Sequence, residues 1–182
     1  VSFVESIRGG DKRVELDHER QRRHGLPAKV DVRIPPGLEP GHALHIAPRP
    51  PAKEPLNLQL SVAPHPLFRR RGDDVYFELP ITVKEAMLGH TLTLPTPRGT
   101  VEFEVPAGVR SGDEYRVRGH GVAPRAGHPG GDLRVTVRVM LPEVRDEAQA
   151  TAALERFEAL YAGPVRSGWF DMAAGAGGEP PR

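Results

Sequence analysis

The side chains best suited to chemistry in this sequence are eight histidines, one pair of adjacent aspartates and two knots of arginine. His18, His24, His42, His45, His65, His90, His120 and His128 are scattered along the chain. None makes the i, i+4 helical pair with a carboxylate that holds a catalytic metal. His42 and His45 sit three apart, but around a strand, so a metal is not expected there. Cysteine is absent, which removes thiolate zinc sites, disulfide frameworks and cysteine nucleophiles together. Asp73-Asp74 follows Arg69-Arg70-Arg71 closely and suits a solvated or salt-bridged turn better than an acid–base pair. No glycine-rich loop follows a strand and opens a helix, so a nucleotide phosphate has no cradle. Nucleophiles and bases do not fall at useful spacings. The expectation is a protein that is not an enzyme, with no catalytic residue, no metal site and no cofactor.

Charge narrows the partners. Lys plus Arg is 25 and Asp plus Glu is 24, a formal net charge of +1, well short of a dedicated nucleic-acid-binding domain. Arg20, Arg22 and Arg23 cluster in an expected loop, as do Arg69, Arg70 and Arg71; clusters like these can neutralise phosphates. Glu15, Asp17, Glu19, Asp73 and Asp74 lie beside them, so sequence-independent DNA contact is the minority alternative. No run approaches the ~18 apolar residues of a membrane span, and no membrane partner is expected. The chain opens Val1-Ser2-Phe3 without Met or a signal-type apolar core, as expected of a piece of a longer protein. A cysteine-free composition fits a cytoplasmic setting.

The elements that would carry such a surface are short strands. Gly and Pro number 20 each and aromatics are only 5%, a composition that breaks long helices and favours turns. Apolar residues alternate in Val30 to Ile34, Leu56 to Val62, Val101 to Val105, Tyr115 to Val117 and Leu133 to Val139. Such alternation wets one face of a strand and buries the other, the pattern of antiparallel sheets in small sandwiches.

The chain also repeats itself. VDVRIPPGLEPGHALHI, Val30 to Ile46, aligns without a gap on VEFEVPAGVRSGDEYRV, Val101 to Val117. Each is a strand, then Pro-x-Gly, then Gly four residues on, then a second strand. Upstream, Glu5 to Gly9 matches Glu85 to Gly89, each a short helical turn stopped by Gly. Downstream, Pro55 to Leu58 matches Asp132 to Val135. Three units in the same order imply two modules of one type. The expected fold is mostly β: two consecutive small sandwich-like domains, 1–75 and 76–142, each with a short helix. A helical segment over 143–163 follows, with Asp146 as N-cap and Leu154, Phe157 and Tyr161 on one face beside Leu160. A Gly- and Pro-rich tail over 164–182 is expected to be mobile, with Trp169-Phe170 as its exception.

These motifs carry a resemblance. HPLFRRRGDDVYFELPITVKEAMLG, His65 to Gly89, resembles the most characteristic stretch of the C-terminal region of DnaJ-family co-chaperones. Val105-Pro106-x-Gly108-x-x-x-Gly112 resembles the paired turn of both β-domains of that region. Gly119-x-Gly121 with Gly130-Gly131-Asp132-Leu133 resembles its Gly-x-Gly and Gly-Asp-Leu marks. The likeness covers about residues 2 to 160. There are departures: no His-Pro-Asp tripeptide occurs, so the ATPase-stimulating J-domain is not expected in these residues. Asp17 to Lys29 is too short, and too poor in Cys, for the zinc module of classical members. The zinc-free class, which includes a curved-DNA-binding relative, is the better match. Glu54-Pro55-Leu56 stands where Gly-Asp-Leu is usual.

The resemblance implies a shallow apolar client groove on the first β-domain, engaged by strand addition to an exposed edge. Val14-Glu15-Leu16 matches the edge strand, Phe68 the groove aromatic, and Ile46 a neighbour; plain core packing is the competing role for each. It also implies a homodimer joined through the C-terminal helix by Leu154, Phe157, Leu160 and Tyr161. The implied partners are unfolded client polypeptides and, mainly through the J-domain, a DnaK-type chaperone. A DNA-binding architectural module and a purely structural dimerisation scaffold are the competing functions.

Overall fold

The computed structural model describes residues 1–47, 50, 54–125 and 127–166. Trp169, Phe170 and the rest of the tail from 167 onward lie outside the described residues. Two compact units result, Val1–Leu141 and a second that begins at Pro142.

The first unit is built twice from similar parts. A short helix α1 (Phe3–Arg8) leads into the antiparallel pair β1 (Gly10–Glu15) and β2 (Lys29–Ile34), joined through helix α2 (His18–His24). An antiparallel pair follows, β3 (Ala43–Ile46) with β4 (Leu56–Gln59). The second set starts with β5 (Phe68–Arg71) and β6 (Asp74–Thr82), then α3 (Val83–Leu88). The hairpin β7 (His90–Thr96) with β8 (Gly99–Val105) comes next, then β9 (Glu114–Val117) and β10 (Leu133–Met140). Strands β5, β6, β10 and β9 form one sheet in that order, with β10 parallel to β6 and antiparallel to β9. The architecture is mostly β, as the alternation required.

The repeat is visible at atomic detail. Ser2 caps α1 and Thr82 caps α3, each in a reciprocal capping box with a glutamate, Glu5 or Glu85. In the paired turns Gly37, Gly41, Gly108 and Gly112 all adopt positive φ, the region that a side chain disfavours. This is why the same two positions are glycine in both copies.

Two apolar clusters organise the unit. The larger gathers Val75, Phe77, Leu79 and Ile81 of β6 with Leu133, Val135 and Val137 of β10, and also takes Phe3, Ile7 and Phe68. The smaller holds Leu16, Leu26, Val30, Val32 and Leu56, with Val14, Leu44, Ile46 and Leu58 packed against it. The expected division at 75/76 falls inside β6, and α1 and Phe68 from before it contribute to the larger cluster.

Three local expectations are corrected. Arg20, Arg22 and Arg23 lie on helix α2 rather than in a loop. Asp17 accepts the Arg20 N–H at its start and Gly25 closes it in the left-handed region. Arg69 to Arg71 lie within strand β5, not in a loop. In the second unit, helix α4 (Glu147–Glu158) has Asp146 as its cap, accepting the Gln149 N–H. It ends earlier than 163: Leu160 and Tyr161 fall in the tightened turn beyond it, where their N–H groups bond to the carbonyls of Phe157 and Glu158.

Candidate functional site

The smaller cluster is the place to look for a polypeptide-binding surface. Along β2 the alternation buries Val30, Val32 and Ile34 and exposes Lys29, Asp31 and Arg33. Val14 is paired opposite Val30 on β1, so both point toward the same side of the hairpin. Leu44 and Ile46 of β3 lie opposite Leu58 and Leu56 of β4 and reach the cluster from the second hairpin. Leu16 and Leu56 are its buried floor, 6% and 5% exposed. Val14, Leu44, Ile46 and Leu58 are only half-buried and form its open part.

Three of the four residues expected in a groove therefore come together here: Val14, Leu16 and Ile46. Phe68 does not join them. It is 5% exposed and belongs to the larger cluster, stacked against His65 at 4.8 Å and Phe3 at 6.2 Å, with Phe77 tilted at 5.7 Å. His65 Nδ1 also accepts the N–H of Leu67 at 3.1 Å, so the His-Pro-x-Phe motif serves as a structural pin in this packing. Leu44 and Leu58 were not among the expected residues. Their signal was the alternation in Ala43-Leu44-His45-Ile46 and Leu56-Asn57-Leu58.

The edge beside this surface is polar and accessible. β1 pairs with β2 alone among the described residues, leaving its other side free to add a strand. Arg13 and Asp31 bridge the outer face of the hairpin at 2.7 Å, and Lys29 meets Glu15 at 3.3 Å. These ion pairs are exposed and contribute little stability. They also oppose indiscriminate edge-to-edge pairing.

The two modules close their final turns differently. In the second, Asp132 accepts the Gly119 N–H at 2.7 Å and the Arg116 Nε–H at 2.5 Å. The Gly119 N–H holds its carboxyl below the usual range; burial opposes this, and Arg116 adds to it. Pro55 occupies the matching place in the first module and carries no carboxylate. There His24, the buried last residue of α2, hydrogen-bonds through Nδ1 to the Glu54 carbonyl oxygen at 2.9 Å, and Arg23 reaches the Glu54 carboxylate at 3.2 Å.

Several arginines are held in structural contacts. Arg70 donates to the carbonyls of Leu38 and Gly37 at 2.8 and 3.1 Å. Arg125 Nη1 lies 2.9 Å from Asp73 Oδ1, an ion contact whose angles fall short of a hydrogen bond. Burial works to raise the Asp73 pKa, but Arg125, His128 and Arg70 outweigh it and hold the carboxyl ionised. Arg71 stacks over the Tyr76 ring. On α2, Arg20 and Arg23 face Asp17 and Glu54. Among the described residues no group of three His, Cys, Asp or Glu is arranged to hold a metal. No described helix is long and apolar enough to cross a membrane.

Comparison with known proteins agrees with this anatomy. The family model "DnaJ C terminal domain" matches residues 1–142. The Chaperone protein DnaJ of Geobacillus sp. (strain WCH70) is 35% identical over 148 residues, 77% of this chain and 38% of that protein. The Chaperone protein DnaJ 1 of Mycobacterium tuberculosis is 40% identical over 156 residues, 82% of this chain and 38% of that protein. The chain thus spans well under half the length of these relatives. With the ordered motifs from His65 to Leu133 and a family match over most of its length, the chain belongs to the DnaJ C-terminal domain family.

Proposed function

We propose that the β1–β4 module binds extended apolar segments of unfolded or partly folded polypeptides, as the client-holding part of a co-chaperone. The observation that carries this is the half-open apolar surface of Val14, Leu44, Ile46 and Leu58 in the module whose β1 edge is unpaired. A client strand laid on that edge gains backbone hydrogen bonds, and alternate side chains enter the apolar surface. Leu16 supplies the floor. Phe68 supports the neighbouring cluster, and its role for clients is the stiffness it gives to the turn from His65.

Two further parts belong to this reading. In the second unit Leu154, Leu160 and Tyr161 are exposed, and Phe157 meets Tyr161 edge-on at 6.0 Å. An apolar set left in water suits a homodimer contact. Two weak client sites on one dimer then raise avidity for a long client. Handover to a DnaK-type chaperone in the cytoplasm is the corresponding fate of the client. Family membership supports client binding and the partnership with a DnaK-type chaperone, through the relatives named Chaperone protein DnaJ.

The test is client affinity in paired variants. Val14→Asp and Ile46→Ser should each weaken binding of a fluorescently labelled unfolded polypeptide by about tenfold, roughly the loss of one buried apolar contact. The circular dichroism spectrum should stay unchanged. Undiminished affinity in both variants would reject the surface.

A further inference from the structure

We infer that the outward face of the β5–β6–β10–β9 sheet is a docking cleft for an extended acidic peptide, whose carboxylates at alternate positions meet Arg69 and Arg71. The inference goes beyond the client reading, which concerns apolar segments on the β1–β4 module.

Register and burial define the face. Val75, Phe77, Leu133, Val135 and Val137 belong to the larger cluster, so the residues that alternate with them point outward. One row across the four strands is Arg69, Tyr76, Arg134 and Arg116; the next, across β6, β10 and β9, is Glu78, Thr136 and Glu114. This face holds a cleft of about 440 Å3, lined in part by Leu67, Arg69, Arg71, Tyr76, Arg138 and Met140. Leu67 and Met140 are 51% and 47% exposed, apolar surface left in water beside the charges.

Three of the outward arginines already have carboxylates. Arg134 meets Asp74 at 3.0 Å, Arg116 meets Asp132 at 2.5 Å and Arg138 meets Glu78 at 3.5 Å. Among the described residues Arg69 and Arg71 have no carboxylate within ion-pair distance. Arg71 lies over the Tyr76 ring at 5.1 Å, which orders the guanidinium and leaves its N–H edge for an acceptor.

The shared scaffold does not need these charges. In the first module Asn57, Gln59 and Ser61 match Arg134, Thr136 and Arg138, and Ala43 matches Glu114. None of those four is charged, so the charged cleft belongs to the second module and not to the repeat.

Spacing and charge select the occupant. Arg69 and Arg71 stand two residues apart on one strand, about 6.8 Å along it. Alternate side chains of an extended peptide have the same spacing, and Leu67 continues the series by two residues. The fitting ligand therefore reads apolar-x-acidic-x-acidic along one face. Glu78 and Glu114 also line the cleft and decide against a nucleic acid. They repel closely spaced phosphates, whereas peptide N–H groups can donate to them.

The experiment titrates the full chain into a fluorescein-labelled peptide, Leu-Thr-Glu-Thr-Glu-Thr-Leu, whose pattern is the same in both directions, and reads anisotropy at low salt. Saturable binding is expected. Replacing both Glu by Gln in the peptide should weaken it by about tenfold, the sum of two partly exposed ion pairs. Arg69→Ser combined with Arg71→Ser should do the same with an unchanged circular dichroism spectrum. In the unaltered chain, backbone NMR shifts should fall on Arg69, Arg71, Tyr76 and Thr136 and spare β1–β4. No binding, equal affinity for the Glu and Gln peptides, or shifts confined to β1–β4 would overturn the site. Tighter binding of an oligonucleotide of equal charge would overturn the peptide as its occupant.

Discussion

At the scale of single residues, stability depends on a few carboxylates whose pKa values are depressed by donors. Glu5 is the clearest: the Ser2 N–H, the Ser2 hydroxyl and Lys12 bring its pKa down to about 2 from 4.5. A folded pKa below the unfolded one means that the stabilisation is complete above about pH 4.5 and is lost as pH falls toward 2. Asp73, Glu85 and Asp132 shift in the same direction. Melting temperature should therefore hold steady near neutrality and drop on acidification; thermal melts at stepped pH check this, and Glu5→Gln should flatten the lowest part of the curve. Asp132 is 9% exposed, and its loss strands the Gly119 N–H and frees Arg116. Asp132→Ala should cost about 1–3 kcal/mol, read as a lowered urea midpoint with unchanged slope.

Among the elements, the closest backbone approach in the second module is at Gly131. A Cβ there would lie 1.7 Å from the Asp73 carbonyl oxygen, a backbone atom that cannot step aside. Gly131→Ala should destabilise by more than about 3 kcal/mol or prevent folding, measured by denaturation or by loss of NMR dispersion. Gly131 was legible in sequence as part of Gly-Gly-Asp-Leu, although the reason for it was not. Strands β2, β8 and β10 were legible because an apolar residue at every second position, as in Val30-x-Val32, Val101-x-Phe103-x-Val105 and Val135-x-Val137, writes a buried face into the chain. Helix α2 was not, because His18-Glu19-Arg20-Gln21-Arg22-Arg23 has no apolar period; only the Asp17 and Gly25 caps mark it. β5 was hidden by its unbroken arginine run, in which no alternation shows. The membership of the two apolar clusters was partly legible. Val14, Leu16 and Ile46 share a cluster, but matching Phe68 by motif could not tell which of two neighbouring cores would take its ring. Leu44 and Leu58 were visible in the alternation and needed the hairpin register to be given a place.

For the whole molecule, the chain divides into two compact units, for which different tasks are proposed. The first, Val1–Leu141, spends its apolar residues on two clusters and leaves part of the smaller one half-open. The second presents Leu154, Leu160 and Tyr161 to solvent and is proposed to join two copies. Leu154→Glu combined with Tyr161→Glu should convert a dimer to a monomer in sedimentation velocity, with the β signal in circular dichroism retained. The same variant should weaken binding of long clients more than that of short ones, because avidity needs both arms. Client binding itself is tested most directly by titrating an isotope-labelled chain with an unfolded client and following backbone NMR shifts. The account predicts perturbations concentrated along β1 and around Val14, Leu16, Leu44, Ile46 and Leu58. Shifts confined to β5–β10, or none at saturating client, would contradict it.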